Sequence, residues 1–280
     1  LDLQFGGRRN GRVFEERAMS RPRKLRMYAF APGVWLLTLL VPLPASAQPV
    51  MSEDADAVLK RMSDYLGGLS SLSMDYEADL EFITGEGQKL QSISTGSITL
   101  SRPDGLHITR FGPLVDSELF YDGQTISLSS EDINSYFQME ASDRLDVAIE
   151  EFRVETGFTA AGADLLLTNT YEALNEGVVT GDHVGSAVID GVVCYHLAFR
   201  GKDVDWQIWI RGDEQPLPMK YVITTKWMTG APQYSVRLRN WNIDPQIDDD
   251  LFKFEAPSGA KRLDALTVDE IGEIADGAQQ

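Results

Sequence analysis

Cys194, His196 and Asp205 are the residues whose types could carry covalent chemistry. Cys194 and His196 stand two apart in a strand-like run, so their side chains leave the same face. A two-residue turn at Gly201-Lys202 would pair Arg200 with Asp203 and bring Ala198 opposite Asp205, His196 opposite Gln207 and Cys194 opposite Trp209. A thiolate–imidazolium pair oriented by a carboxylate is a nucleophile site. The competing reading is structural: a lone strand cysteine packs as a small hydrophobe, and a histidine opposite glutamine is simply hydrogen-bonded. The other histidines, His107 and His183, form no HExxH pattern, and the chain has no GxSxG elbow, P-loop or GxGxxG fingerprint. A Cys/His-dependent hydrolase is therefore a distant third reading, and the expectation is no catalytic residue, no metal and no cofactor.

Asp248-Asp249-Asp250 invites calcium, but it lacks the alternating DxDxDG spacing that wraps a cation, and a solvated turn before a strand at Leu251–Phe254 fits better. Lys220, Lys226, Arg237 and Arg239 would share one polar face if their strands form a hairpin about Thr229–Pro232. That patch could receive an acidic head group or partner, although pairing with local carboxylates is the safer reading. Of the tryptophans, Trp206 and Trp227 read as core, and Trp209 and Trp241 as rim.

The same register that sets the polar face sets an apolar one. Phe199/Val204, Leu197/Trp206 and Tyr195/Ile208 fall together. In the strands Met219–Met228 and Gln233–Trp241, Tyr221, Ile223 and Trp227, then Tyr234, Val236 and Leu238, stand against lysines, arginines, serine and threonine. Tyr195, Leu197, Trp206, Ile208, Ile210, Tyr221, Ile223, Val236 and Leu238 are the candidate apolar ligand-binding residues.

These faces need a sheet and something to cover it. Ser52 can cap a helix with an acidic first turn and Ala55, Val58, Leu59, Met62, Leu66 and Leu69 on one face, ended by Gly67-Gly68. From Leu72 to Phe82 the period changes to two, the mark of a strand with one wet face. Strand-like runs follow at Ser92–Ser101, Leu106–Phe111, Ser117–Tyr121 and Thr125–Ser129, with turn signals at Pro103-Asp104-Gly105 and Asp122-Gly123. This is an antiparallel meander. A helical interlude follows: Ser142 can cap a helix bearing Leu145, Ala148, Ile149 and Phe152 that stops near Gly157, and Gly162–Leu174 makes two short helical turns. Strands resume at Val178, with Asp190-Gly191 as a hairpin turn.

Toward the N-terminus, Leu1–Ala18 reads as an upstream segment and Met19–Ala47 as a secretory signal peptide. Arg21, Arg23, Lys24 and Arg26 form its positive region, Met27–Val41 its apolar region, and Ala45-Ser46-Ala47 its cleavage site. The apolar run is too short for a stable membrane span. The sole cysteine, Cys194, is far from that site, which argues against a lipid anchor there and leaves no disulfide or Cys-rich zinc framework. Residues 1–47 hold 8 of the 25 Lys and Arg and 3 of the 43 Asp and Glu; the remaining 233 residues hold 17 against 40, a net charge of −23. Such a surface repels nucleic acid and anionic head groups. The expected product is a soluble periplasmic monomer, with one domain over residues 48–262 and an acidic tail over 263–280.

The blocks VGSAVIDGVVCYHLAFRGKDVDWQIWI (Val184–Ile210) and PLPMKYVITTKWMTGAPQYSVRLRNWN (Pro216–Asn242) are similar to a family of predicted periplasmic bacterial proteins known as domain of unknown function 2092. FYDGQT (Phe120–Thr125), GADLLLTNTYEAL (Gly162–Leu174) and FKFEAPSGAKRLD (Phe252–Asp264) resemble it too. The resemblance implies a lipoprotein-carrier (LolA/LolB-like) fold: α+β, mostly antiparallel β, a curved unclosed half-barrel of about eleven strands with helices plugging the concave side. It implies a place, a fold and a type of ligand, and no reaction. Two functions follow: a binding module for a lipid or acyl chain, or an envelope interaction and scaffold component, with a protein partner, whose hollow is filled by its own helices.

Overall fold

The computed structural model describes residues 50–113, 116–157, 161–248 and 250–266. The upstream segment, the signal peptide and the tail beyond Leu266 lie outside the described residues.

The helix predicted at Ser52 is α1 (Glu53–Gly67), and the Ser52 hydroxyl accepts from the Ala55 amide at 3.3 Å, satisfying one of the donors a helix start leaves open. The sheet strands are β1 (Val50–Met51), β2 (Ser71–Ile83), β3 (Lys89–Ser101), β4 (Gly105–Arg110), β5 (Ser117–Tyr121), β6 (Thr125–Ser130), β7 (Ser135–Glu140), β8 (Val178–Ile189), β9 (Val192–Gly201), β10 (Val204–Arg211), β11 (Pro218–Thr225), β12 (Gln233–Asn242) and β13 (Lys261–Leu263). Between β7 and β8 come α2 (Leu145–Thr156), a 3₁₀ turn (Ala163–Leu166) and α3 (Thr170–Asn175).

All thirteen strands form one sheet in the order β1-β8-β9-β10-β11-β12-β2-β3-β4-β5-β6-β7-β13. The eleven from β8 to β7 are antiparallel throughout, and only β1 on β8 and β13 on β7 pair parallel. The two outermost strands do not pair with each other, so the curved sheet stays an unclosed half-barrel. β2 and β12 join the two meanders, with Val236 opposite Ala78 and Leu238 opposite Tyr76.

One face of the sheet is the core. Ala55, Leu59, Met62 and Leu66 of α1 and Leu145, Ala148, Ile149 and Phe152 of α2 pack with Leu72, Leu100, Tyr121, Leu197, Phe199 and Ile208 of the strands. The helices thus sit on the concave side. Gly67 is required by this packing: a Cβ there would lie 2.5 Å from the Thr168 carbonyl oxygen.

Several expectations change. The helix α2 begins at Leu145 with Arg144 as its cap residue; the Ser142 hydroxyl accepts instead from the Arg144 amide, two residues on. Residues 251–254 form a turn and extended chain, not a strand. They carry Phe252 against Gly105, and Phe254 against Phe120 and Tyr136 with ring centroids 5.6 and 5.2 Å apart, on the outer face of the sheet. The apolar residues in that segment cover a sheet face rather than extend the sheet. Beyond it β13 takes Leu263 into the sheet and Leu266 packs on the core.

Candidate functional site

The hairpin turn at Asp190-Gly191 forms as expected, with φ of 49° and 80°, the left-handed pair that such a turn demands. The next connection is longer than the predicted two residues. Arg200 pairs with Asp205, which shifts every β9–β10 pair by two from the expected register: Phe199 faces Trp206, Leu197 faces Ile208, Tyr195 faces Ile210 and His196 faces Trp209. Because a shift of two preserves the side-chain alternation, the two faces survive intact.

The shift dissolves the nucleophile cluster. Asp205 stands four residues along β10 from the partner of His196, about 13 Å at strand rise. It pairs with Lys226 at 2.7 Å and Arg200 at 3.7 Å. His196 stacks on Trp209 with centroids 4.2 Å apart and shares a 2.9 Å hydrogen bond with Gln207. Cys194 is wholly buried, and that burial pushes its thiol up from its ordinary value, away from the thiolate.

The basic patch is largely neutralised from within. Asp190, at the β8–β9 turn, lies 3.0 Å from Arg239 and 3.9 Å from Arg237, Glu77 lies 3.7 Å from Arg239, and Lys220 sits over the Trp209 ring. Asp250 is an exposed turn residue whose carboxyl is held below its usual range by its bond to Lys253, and Asp249 lies outside the described residues. Trp227 is the tryptophan that departs from expectation: it follows the end of β11 and is 56% exposed. Trp206 is core, stacked on Phe199 at 3.9 Å, and the Trp241 indole donates to the Pro218 carbonyl.

The apolar face is where the sequence-predicted residues come together. Leu197, Ile208 and Ile210 are 0% exposed, and Trp206, Tyr221, Val236 and Leu238 are buried beside them. Tyr195 and Ile223 are half-buried. These residues line the part of the concave face that contributes most to the core.

The other part of that face was missed. Across six consecutive strands the register lines up Ile98, Ile108, Leu119, Leu128, Phe137 and Leu263, with Met74 opposite Ile98 on the next strand. Met74, Phe137 and Leu263 are buried, while Ile98, Ile108, Leu119 and Leu128 are half-buried. These four span about 14 Å at normal strand spacing. The sequence signal was available: each is the apolar member of an alternating run. Only the strand pairing shows that they form one row.

Residues 55–266 match the family described as predicted periplasmic protein, domain of unknown function 2092. The chain belongs to this family. No curated protein matches it. Similar solved structures include an uncharacterized conserved protein from Thermus thermophilus (9% identity, TM-score 0.46, covering 75% of this chain and 99% of that one). Another is LprF from Mycobacterium bovis (14% identity, TM-score 0.44, 70% and 97%). A third is a LolA superfamily protein from Nitrosomonas europaea (10% identity, TM-score 0.37, 71% and 97%).

In this DUF2092 half-barrel the helical cover is tied down by specific bonds. Arg153 of α2 binds Asp164 at 2.8 Å, and Asp146 accepts from both the amide and the hydroxyl of Thr168. Arg102, at the end of β3, donates to the carbonyl oxygens of Leu69 and Leu166 at 3.1 and 2.6 Å. The first two bonds hold α2 to the 3₁₀ turn and the chain before α3, and Arg102 holds that turn to the chain just after α1. Among the described residues, no helix is long and apolar enough to cross a membrane.

Proposed function

We propose that this protein binds an acyl chain or similar apolar ligand on the concave face of its half-barrel, in the periplasm. The observation that carries the reading is the half-buried row Ile98–Ile108–Leu119–Leu128, apolar surface that the chain's own helices leave partly uncovered. Covering about 200 Å² of such surface at about 25 cal/mol per Å² supplies about 5 kcal/mol, enough for a lipid tail without exact polar contacts. Tyr195, Leu197, Trp206, Ile208, Ile210, Tyr221, Ile223, Val236 and Leu238 form the deeper wall, and those under the helices meet a ligand only when the helices lift.

Removal of Met19–Ala47 as a signal peptide fits this placement, because a chain starting at Gln48 keeps the Val50–Met51 strand that pairs with β8. The intact mass of protein recovered from a bacterial periplasm tests that cut. Ligand binding is tested by native mass spectrometry and lipid extraction of the same protein, followed by titration with a fluorescent acyl probe. Co-purified lipid or saturable probe binding supports the proposal. A ligand-free protein that ignores the probe sinks it.

A second reading is favoured by one observation: Leu197, Ile208 and Ile210 have no exposed surface, as expected of a self-filled core. On that reading the protein is an envelope interaction component. A stoichiometric protein partner in a pull-down, without extractable lipid, selects it.

A further inference from the structure

We infer that the row of residues next to the apolar strip is a head-group subsite for an uncharged acyl lipid, one whose head offers ester or hydroxyl oxygens. This deepens the acyl-binding proposal and rests on it.

Two residues further along each strand, on the same face, the register places Tyr76, Gly96, Arg110, Ser117, Ser130, Ser135 and Lys261 across the sheet. Tyr76 pairs with Gly96, Arg110 with Ser117, Ser130 with Ser135 and Ser135 with Lys261. Continuing the β5–β6 register beyond Glu118 and Ser129 sets Ser117 beside Ser130. The apolar row therefore gives way, in one step, to three serines side by side. They line a small open recess, about 10 Å³ in volume and so wide enough for a single polar atom, whose other walls include Leu128, Ile133 and Leu263.

Ser130 is the informative member. It is 7% exposed, its hydroxyl has no hydrogen-bond partner among the described residues, and it faces this recess. Buried hydroxyls are normally paired, and the Ser135 hydroxyl, bonded to the Ile133 carbonyl at 3.0 Å, shows the usual arrangement one strand away. A hydroxyl left over at the end of an apolar strip suits a polar atom arriving with an apolar tail. Leu128 belongs to both the strip and the recess, so tail and head would be continuous.

The lining selects an uncharged head. Among the described residues the recess walls are serines, leucines, Ile133 and Tyr136, with no ionised side chain. The adjoining loops carry Asp116 and Asp132, whose carboxylates accept from the Gly112 and Asp116 amides beside the recess. Arg110 and Lys261 flank the serine row, which leaves no net positive field to favour an anion.

The test is a competition titration on the full chain, in which 1-monolauroylglycerol, laurate and n-dodecane displace a bound fluorescent acyl probe. Monolauroylglycerol is expected to bind at least ten-fold tighter than dodecane and no weaker than laurate. Ser130→Ala should cut the preference over dodecane about five-fold, the effect of one hydrogen bond, and Ser117→Ala should act in the same direction. Ser130→Ala removes an unpaired buried hydroxyl, so it should fold at least as well as the parent. Equal binding of monolauroylglycerol and dodecane, or a preference untouched by both substitutions, overturns the head-group subsite while leaving tail binding standing. Tighter binding of laurate overturns the uncharged head. Failure of all three to displace the probe overturns the subsite, and failure of the probe itself to bind overturns the acyl-binding proposal beneath it.

Discussion

Leu119 offers the sharpest separation of binding from folding. It stands in the middle of the half-buried row, opposite Ile108 on one side and Leu128 on the other. Replacing it with asparagine removes the apolar contact a tail would make and puts an amide in its path. Complete burial of a leucine is worth about 1.5–3 kcal/mol, so losing the part a tail covers costs about 1 kcal/mol. Covering an unpaired amide adds at least about 1 kcal/mol. The sum, about 2 kcal/mol, is a Kd about 30-fold weaker. Leu119 is only partly shielded in the folded chain, so Leu119→Asn should cost the fold about 1 kcal/mol. Ile208→Ala is the contrast, because Ile208 is 0% exposed and its truncation leaves a cavity costing about 2–5 kcal/mol. A fluorescent acyl-probe titration beside urea denaturation reads both quantities. If Leu119→Asn keeps its probe affinity within two-fold while remaining folded, the strip is not where the tail lies and the reasoning fails.

Three further outcomes follow from the geometry. A methyl at Gly96 would lie 1.8 Å from the Thr109 carbonyl oxygen and 2.8 Å from the Tyr76 ring, so Gly96→Ala should force β3 and β4 apart and lower the urea-derived stability by about 2–3 kcal/mol; no loss would show the strands can yield. Burial holds the Cys194 thiol above its ordinary value, so iodoacetamide at pH 8 should label it far more slowly in the native protein than in urea; equal rates would contradict its enclosure. Burial, reinforced by Asp104 and Asp143, raises the Tyr121 phenol to about 12, and the hydrogen bond to Asp56, then burial, raises Tyr171 to about 12. Both shifts favour the protonated form in the fold, so their stabilisation is complete below pH 10 and lost as pH rises toward 12; melting temperatures should fall across that window, and a flat profile would count against both shifts.

Alternation made the faces legible, and distance made the site partly illegible. The runs from Leu72 to Phe82 and from Gln233 to Trp241 declared their apolar sides from sequence, and both stand as read. The β9–β10 pairing was wrong by two residues because Gly201-Lys202 looked like a complete turn, whereas the connection reaches from Arg200 to Asp205. That error cost nothing for the apolar face but everything for the Cys194–His196–Asp205 arrangement, since a polar triad depends on which residues meet and a greasy face does not. Ser135–Glu140 was passed over because SYFQME is short and mixed, and the parallel pairings of Val50–Met51 and Lys261–Leu263 have no local signal. Trp227 carried the right parity for the core, yet its strand ends two residues before it. The serine row had no sequence signal, because three separate strands had to be placed side by side before Ser117, Ser130 and Ser135 became neighbours.

Dimensions explain why this sheet has surface to spare. Eleven antiparallel strands averaging roughly nine residues make a face about 48 Å wide and about 30 Å long, about 1,400 Å² in projection. Helices α1, α2 and α3, with 15, 12 and 6 residues, rise about 22, 18 and 9 Å at a diameter of about 10 Å, so their combined footprint is about 500 Å². Curvature draws the strands toward the helices and narrows the shortfall, but it does not remove a factor of nearly three. Some of the remainder is closed by large side chains packing on one another, as Trp206 does with Phe199 and Tyr221. Among the described residues no comparable aromatic stack covers Ile98, Ile108, Leu119 and Leu128, and these four stay half-buried. A sheet built only to enclose its own helices would need fewer strands or a longer interlude between β7 and β8. The excess width is therefore the structural feature that binding would use, and the row that crosses it runs beside the only serine ladder the register builds on that face among the described residues.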